Sequence, residues 1–239
     1  HEKELAEAVR IAEKSGDPAL VKRLKREEKL ISGEYKKRSG VQRKILSVKC
    51  LNGTPTSENV KKAALENQSV IKGLVKRERG GTVLPSANTS EIYCVVQGDH
   101  MIILGEFMQK KETVLAAAGE RDGQVWKGND TFELFIGAGP EKTADGYYQI
   151  IINPLGNLYD ARLNRKSWNC NAKVEAGILE DRWFVLISIP LSELGYPRDA
   201  VSFPLRMNFG RNMSGKEVSS WTDGSFANES AFGTLKIQR

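Results

Sequence analysis

Apolar and polar positions alternate along most of the second half of the chain, most clearly around residues 131–136. There Phe132, Leu134 and Ile136 alternate with Thr131, Glu133 and Phe135, the period-two signature of a β-strand. Phe135 interrupts the polar side, so both faces of this strand are expected to be at least partly covered. Further strands are predicted over 90–97 and 101–108, joined by a turn at Gly98-Asp99-His100, and then over 146–154, 158–163, 172–178, 183–189, 201–208 and 233–238. Ala138-Gly139-Pro140 and Asp145-Gly146 carry turn chemistry, and Leu191-Ser192-Glu193-Leu194-Gly195 reads as one helical turn. Many short strands at this spacing predict a mainly β protein, an antiparallel β-sandwich with jelly-roll or immunoglobulin-like layers.

The first forty residues follow another period. Leu5, Ala8, Val9 and Ala12 share one helical face, and Ser15-Gly16-Asp17-Pro18 stops that helix and starts a second with Asp17 as N-cap and Pro18 in the first turn. Residues 1–40 therefore read as a helical hairpin that must pack on the next domain or on a neighbour outside this chain, such as the upstream domain it would end, and 41–239 as the sandwich. Between them the pattern predicts β structure over 42–51, a turn at Asn52-Gly53-Thr54-Pro55, a helix over 57–68 capped by Ser57, and a strand over 70–75.

Composition narrows the partners. The net charge of +6 is unevenly spread, with 20 Lys and Arg against 11 Asp and Glu in residues 1–80, so that residues 81–239 are mildly acidic. Nucleic acid is therefore not the expected partner of the β domain, and the basic run at 22–29 reads as a solvated helix face. No apolar run reaches the roughly 18 residues of a membrane-spanning helix, so no membrane partner is expected. The chain opens at His1 and reads as a processed chain or an excised fragment. Cys50, Cys94 and Cys170 lack CxxC pairing and are expected as reduced, buried thiols, with one disulfide as the alternative.

The candidate chemistry centres on Trp126, on a polar, glycine-containing turn before the 131–136 strand, with Glu133 a pleat into it. An aromatic wall beside a carboxylate suits sugars, whose C–H bonds pack on a ring face while hydroxyls bond to the carboxylate. The plainer reading makes Trp126 a loop anchor and Glu133 a solvated strand residue. An enzyme in its own right would need a carboxylate pair from Asp130, Glu133 and Asp160, and nothing in the sequence fixes one. Haem would need axial ligands from His100, Met101, Met108, Met207 or Met213, positions that read as turn or core. No cofactor is expected. A structural calcium ion would find hard oxygens at Gly128-Asn129-Asp130 or Asp223-Gly224. Arg211 and Asp160 are candidates for a structural ion pair. Trp168, Trp183 and Trp221 read as packing residues.

Five pieces in order resemble the family 9 carbohydrate-binding modules and their looser relatives. They are Trp126 with 129–136, the run 147–156 from Tyr147 to Gly156, the run 183–195 containing Trp183-Phe184-Val185, Leu205-Arg206-Met207-Asn208-Phe209-Gly210-Arg211-Asn212, and Glu217-Val218-Ser219-Ser220-Trp221 followed by Phe232-Gly233-Thr234-Leu235. The resemblance implies an antiparallel sandwich that holds a glycan end between two aromatic rings. Carried over by position, Trp126 is one wall and Phe226 stands where the family has its second Trp. Glu133 matches the hydroxyl-binding carboxylate, Asn153 an amide on the next strand, and Arg206 and Asn208 polar site residues on a later strand. The position often basic in sugar-binding members is Ile151 here. The implied function is non-catalytic binding of an oligo- or polysaccharide, targeting an upstream catalytic, polysaccharide-processing domain in a secreted, periplasmic or cell-surface protein of bacterial type. The alternative is an interdomain sandwich whose sugar site has decayed.

Overall fold

A computed structural model describes residues 44–78, 81–138, 146–163, 165–196, 202–222 and 226–238. The helical hairpin expected at 1–40 lies outside the described residues. Strands β1 (Ile45–Val48), β2 (Val70–Lys72), β3 (Val75–Arg77), β4 (Val83–Pro85), β5 (Ser90–Gln97), β6 (His100–Met108) and β7 (Thr131–Gly137) come first, with helix α1 (Ser57–Glu66) after β1. They are followed by β8 (Tyr147–Ile152), β9 (Leu158–Arg162), β10 (Lys173–Ile178), β11 (Arg182–Pro190), β12 (Ser202–Met213), β13 (Glu217–Ser220) and β14 (Gly233–Gln238). Among the described residues, five strands form one sheet in the order β10-β11-β6-β5-β2. Nine form the other, along β4-β3-β13-β12-β7-β8-β9, with β14 beside β12 and β1 beside β14. All pairings within named strands are antiparallel except β1 with β14. The β-sandwich expected from the alternation is the fold.

Local chemistry explains where the elements depart from expectation. The strand expected over 70–75 is two strands, because Gly73 at φ 74 breaks it, sending β2 to the small sheet and β3 to the large one. Helix α1 is capped by Thr56, whose Oγ1 accepts from the Asn59 N–H at 3.2 Å, so the predicted cap Ser57 is the first helical residue instead. Strand β12 runs five residues past the expected 208, since its second half finds a partner in β13, a strand too short and polar to announce itself. The turn between β5 and β6 is a two-residue hairpin with Gln97 opposite His100. Gly98 at φ 53 supplies its left-handed position.

The core lies between the sheets. Phe132, Leu134 and Ile136 of β7 point into it, fully buried with Phe107 and Trp183 from the small sheet and Phe209 and Trp221 from the large one. Phe107 stacks on Trp183 with centroids 4.1 Å apart and meets Phe132 at 5.0 Å. Each such side chain contributes on the order of 1.5–3 kcal/mol by leaving water. The Phe-Gly pair of the last strand has a steric reason, because a Cβ on Gly233 would stand 2.2 Å from the Trp221 ring. Trp183 and Trp221 are core residues as expected, and half-buried Trp168 packs on Tyr148 at 4.5 Å. Cys50, Cys94 and Cys170 are free thiols, Cys50 only half-buried.

Arg211 and Asp160 do not pair. Arg211, fully buried, donates to Thr89 O (3.0 Å), Met108 O (3.2 Å), Ser90 Oγ (3.3 Å) and Gln109 Oε1 (2.9 Å), tying β12 to the small sheet. Burial pulls its pKa down to about 10. Asp160 accepts instead from Arg121 Nη2 at 2.7 Å and from the Cys170 N–H at 2.6 Å.

Candidate functional site

The outward faces of β12, β7, β8 and β9 carry the candidate site. In register across these strands lie Gly210, Glu133, Ile151 and Tyr159. Paired antiparallel residues project to the same side, so Glu133 sits in the middle of this row. Both faces of β7 are covered as expected. Glu133 is only 6% exposed, and burial pushes its carboxyl up to about 7, against hydrogen bonds from Thr131 and Gln149 that favour the charge. The Thr131 hydroxyl lies 3.1 Å from Glu133 Oε1.

Aromatic groups stand on both sides of Glu133. Trp126, 37% exposed, meets the ring of Tyr159 edge-on with centroids 4.9 Å apart. On the other flank the half-buried Phe226 ring lies over Gly210, where a Cβ would come within 2.7 Å of it, and 5.7 Å from Phe135. Only glycine at 210 lets this ring descend beside Glu133. Ile151 is not an open position. It packs with Val125, Tyr159 and Ala161 in a small cluster beneath the Trp126 turn.

The other residues expected to bind ligand are engaged within the chain. Asn153 is fully buried. Its Nδ2 donates to Ala117 O (2.9 Å), and its Oδ1 accepts from the Leu155 and Asn157 N–H groups (3.1 and 2.9 Å). Since Asn129 Oδ1 also accepts from the Ala117 N–H at 2.5 Å and Asn129 Nδ2 donates to Val125 O at 2.9 Å, Asn153 is one anchor of the loop that carries Trp126. Asn208, also fully buried, accepts from the Thr222 N–H at 3.2 Å and donates to Phe226 O at 3.4 Å. It thus clasps both ends of the segment that presents Phe226. Arg206, four residues before Gly210 on β12, donates to Glu229 O at 2.6 Å and lies over the Phe232 ring at 5.9 Å. Gln149 and Tyr159 were missed by sequence reasoning. Register alone brings them to Glu133, and the signal available was their even spacing from Ile151 and its partner strand.

Among the described residues the rival chemistries find no matching geometry. Asp130 accepts from Gln109 Nε2 (2.7 Å) and from the Leu115 and Ser214 N–H groups (3.0 and 2.9 Å). Asp160, in register with core-facing Ile150, projects from the opposite side of the sheet to Glu133, so these carboxylates do not straddle one bond. The calcium expectation meets the same obstacle. N–H donors face the side-chain oxygens of Asp130, and Asn129 Oδ1 accepts from Ala117, so these residues do not fit a cation. Asp223-Gly224 lies outside the described residues. Met101 and Met207 are core side chains while His100 stands on the outer side of the small sheet, which leaves no facing axial pair among them.

No protein-family model and no curated protein matches the chain. Solved structures do. A candidate carbohydrate-binding protein of Bacteroides uniformis is similar with a TM-score of 0.61 at 19% identity, covering 82% of this chain and 100% of that one. A family 9 carbohydrate-binding module of Caldicellulosiruptor kristjanssonii in complex with cellotriose gives 0.57 at 15% identity over 82% and 94%. A family 9 module from the same organism with glucose gives 0.53 at 14% over 82% and 96%. The chain has a fold like that of the family 9 carbohydrate-binding modules.

Proposed function

We propose that this domain is a non-catalytic carbohydrate-binding module whose site is the outer face around Glu133. Trp126 and Phe226 flank the sugar, Glu133 and Gln149 bond its hydroxyls, and Asn153, Asn208 and Arg206 hold the loops that bring the rings there. The observation that carries this reading is the pair of solvent-reaching aromatic rings on either side of one buried carboxyl, on a fold shared with modules solved with glucose and cellotriose. In this reading the module targets an attached polysaccharide-processing domain in a secreted or cell-surface protein.

The Ile151 cluster favours a second reading, a structural sandwich with a filled-in site. One titration separates the two. Trp fluorescence of the wild type and of Trp126→Ala is followed against mono- and oligosaccharides. Saturable change with one sugar class, weakened roughly 5- to 150-fold in the variant (about 1–3 kcal/mol for one stacking ring), supports the binding module. A folded protein that answers no sugar leaves the structural sandwich.

A further inference from the structure

We propose that the outer face of the five-stranded sheet carries a second glycan site, a cleft along β11 that takes neutral sugar rings in a row. The carbohydrate class rests on the reading just given; the cleft is independent of it. Helix α1 covers only the β5 and β6 side of this face, packing Val60 and Ala64 on Tyr93, Val95, Ile102 and Leu104. Beside it opens a hollow of about 340 Å³, a size at the small end of ligand sites. Its floor is Ile102 and Leu186, and its polar rim comes from Gln97, His100, Ser188, Lys173 and Glu175.

Three features select the ligand. First, one pleat beyond Leu186 on β11, next to the hollow and not part of its lining, stands half-buried Phe184, whose ring reaches over the edge strand because position 177 is glycine; a Cβ there would lie 2.8 Å from it. An aromatic ring beside an apolar floor is a stacking surface for sugar C–H faces. Second, exposed Lys173 and Glu175 sit two residues apart on the same side of β10, so their charges cancel and the cleft draws no ion. Third, the side chains of Lys173, Glu175 and Ser188 make no hydrogen bond to other described residues. Asn153 and Asn208 have theirs committed, whereas these remain for a ligand's hydroxyls. A larger hollow of about 610 Å³ beside α1 sets Lys49 and Lys62 against the single carboxylate of Glu66, so it lacks the charge balance that suits a neutral ligand.

The test is amide NMR on the full chain, titrated with cello-, xylo-, manno- and malto-oligosaccharides of up to six units. Wild type, Trp126→Ala, Ser188→Trp (which fills the cleft) and the exposed double variant Lys173→Ala/Glu175→Ala are compared. The expected result is saturable shifts at 173–177 and 184–188 that persist in Trp126→Ala and weaken at least tenfold in both cleft variants. Shifts confined to 126–135 and 149–159 overturn the second site and leave the first standing. Shifts confined to the cleft do the reverse, and none on either face sinks both. Cleft shifts that survive both cleft variants also overturn the proposal.

Discussion

Glu133→Gln should make the protein more stable at neutral and alkaline pH and leave it unchanged in acid. The reason is the buried carboxyl, raised from 4.5 to about 7 chiefly by desolvation. A carboxyl raised on folding binds a proton more tightly in the native state than in the unfolded one. Its contribution to stability is therefore fully present below about pH 4.5, falls as pH rises, and is lost above about pH 7. The difference of about 2.5 pH units corresponds to roughly 3 kcal/mol. Glutamine keeps the shape and never ionises, so it escapes the loss. Urea unfolding of both proteins between pH 4 and 8.5 reads this directly. At about 2 kcal/mol per molar for a domain of this size, the variant's midpoint should exceed wild type by roughly 1.5 M at pH 8.5 and match it near pH 4. A midpoint difference that does not change with pH refutes the argument, because Glu133 would then keep an ordinary carboxylate pKa in the fold.

Two further substitutions test what holds the site and the fold. Asn208→Ala leaves the Thr222 N–H without its acceptor, at a cost of about 1–3 kcal/mol. It should weaken sugar binding although Asn208 itself is fully buried, and Asn208→Asp, which keeps the acceptor but loses the donor to Phe226 O and buries a charge, should not restore it; equal affinity in Asn208→Ala would end its positioning role. Arg211→Met strands the carbonyls of Thr89 and Met108 and the Gln109 amide, so it should cost about 3 kcal/mol or more and lower the melting temperature by roughly 6–12 °C. A fall of only a degree or two would show that water or repacking satisfies those acceptors.

Much of the fold was legible because alternation is a local signal. Val, Ile, Phe and Tyr on every second residue place a strand whatever it pairs with, so the long strands β5, β6, β7, β11 and β14 fall where the pattern put them. Features set by distant partners were not legible. Nothing near residue 73 says that β2 and β3 belong to opposite sheets, and β13 exists because β12 has an edge to offer it. The Arg211 network is of this kind too. The sequence supplies a charge, but its four acceptors come from residues 89–109, more than a hundred positions away.

The candidate site divides along the same line. Side chains whose role depends on pointing outward from a known strand or turn, Trp126 and Glu133, could be named from spacing. Asn153 and Asn208 look the same in sequence, polar residues at or near β8 and on β12 where polar residues would face a ligand. Their burial decides otherwise. A fully buried amide must find partners within the protein, and the ones these find are the main-chain groups of the two loops that carry Trp126 and Phe226. The rings therefore owe their positions to asparagines beneath them. This also accounts for Ile151, which helps to seat the Trp126 turn through Val125 and Tyr159 and, in the proposed site, would leave hydroxyl recognition to Glu133 and Gln149. If Ile151→Lys, which introduces a basic group, strengthened sugar binding without loosening that turn, the proposed division of labour between contacting and supporting residues would have to be redrawn.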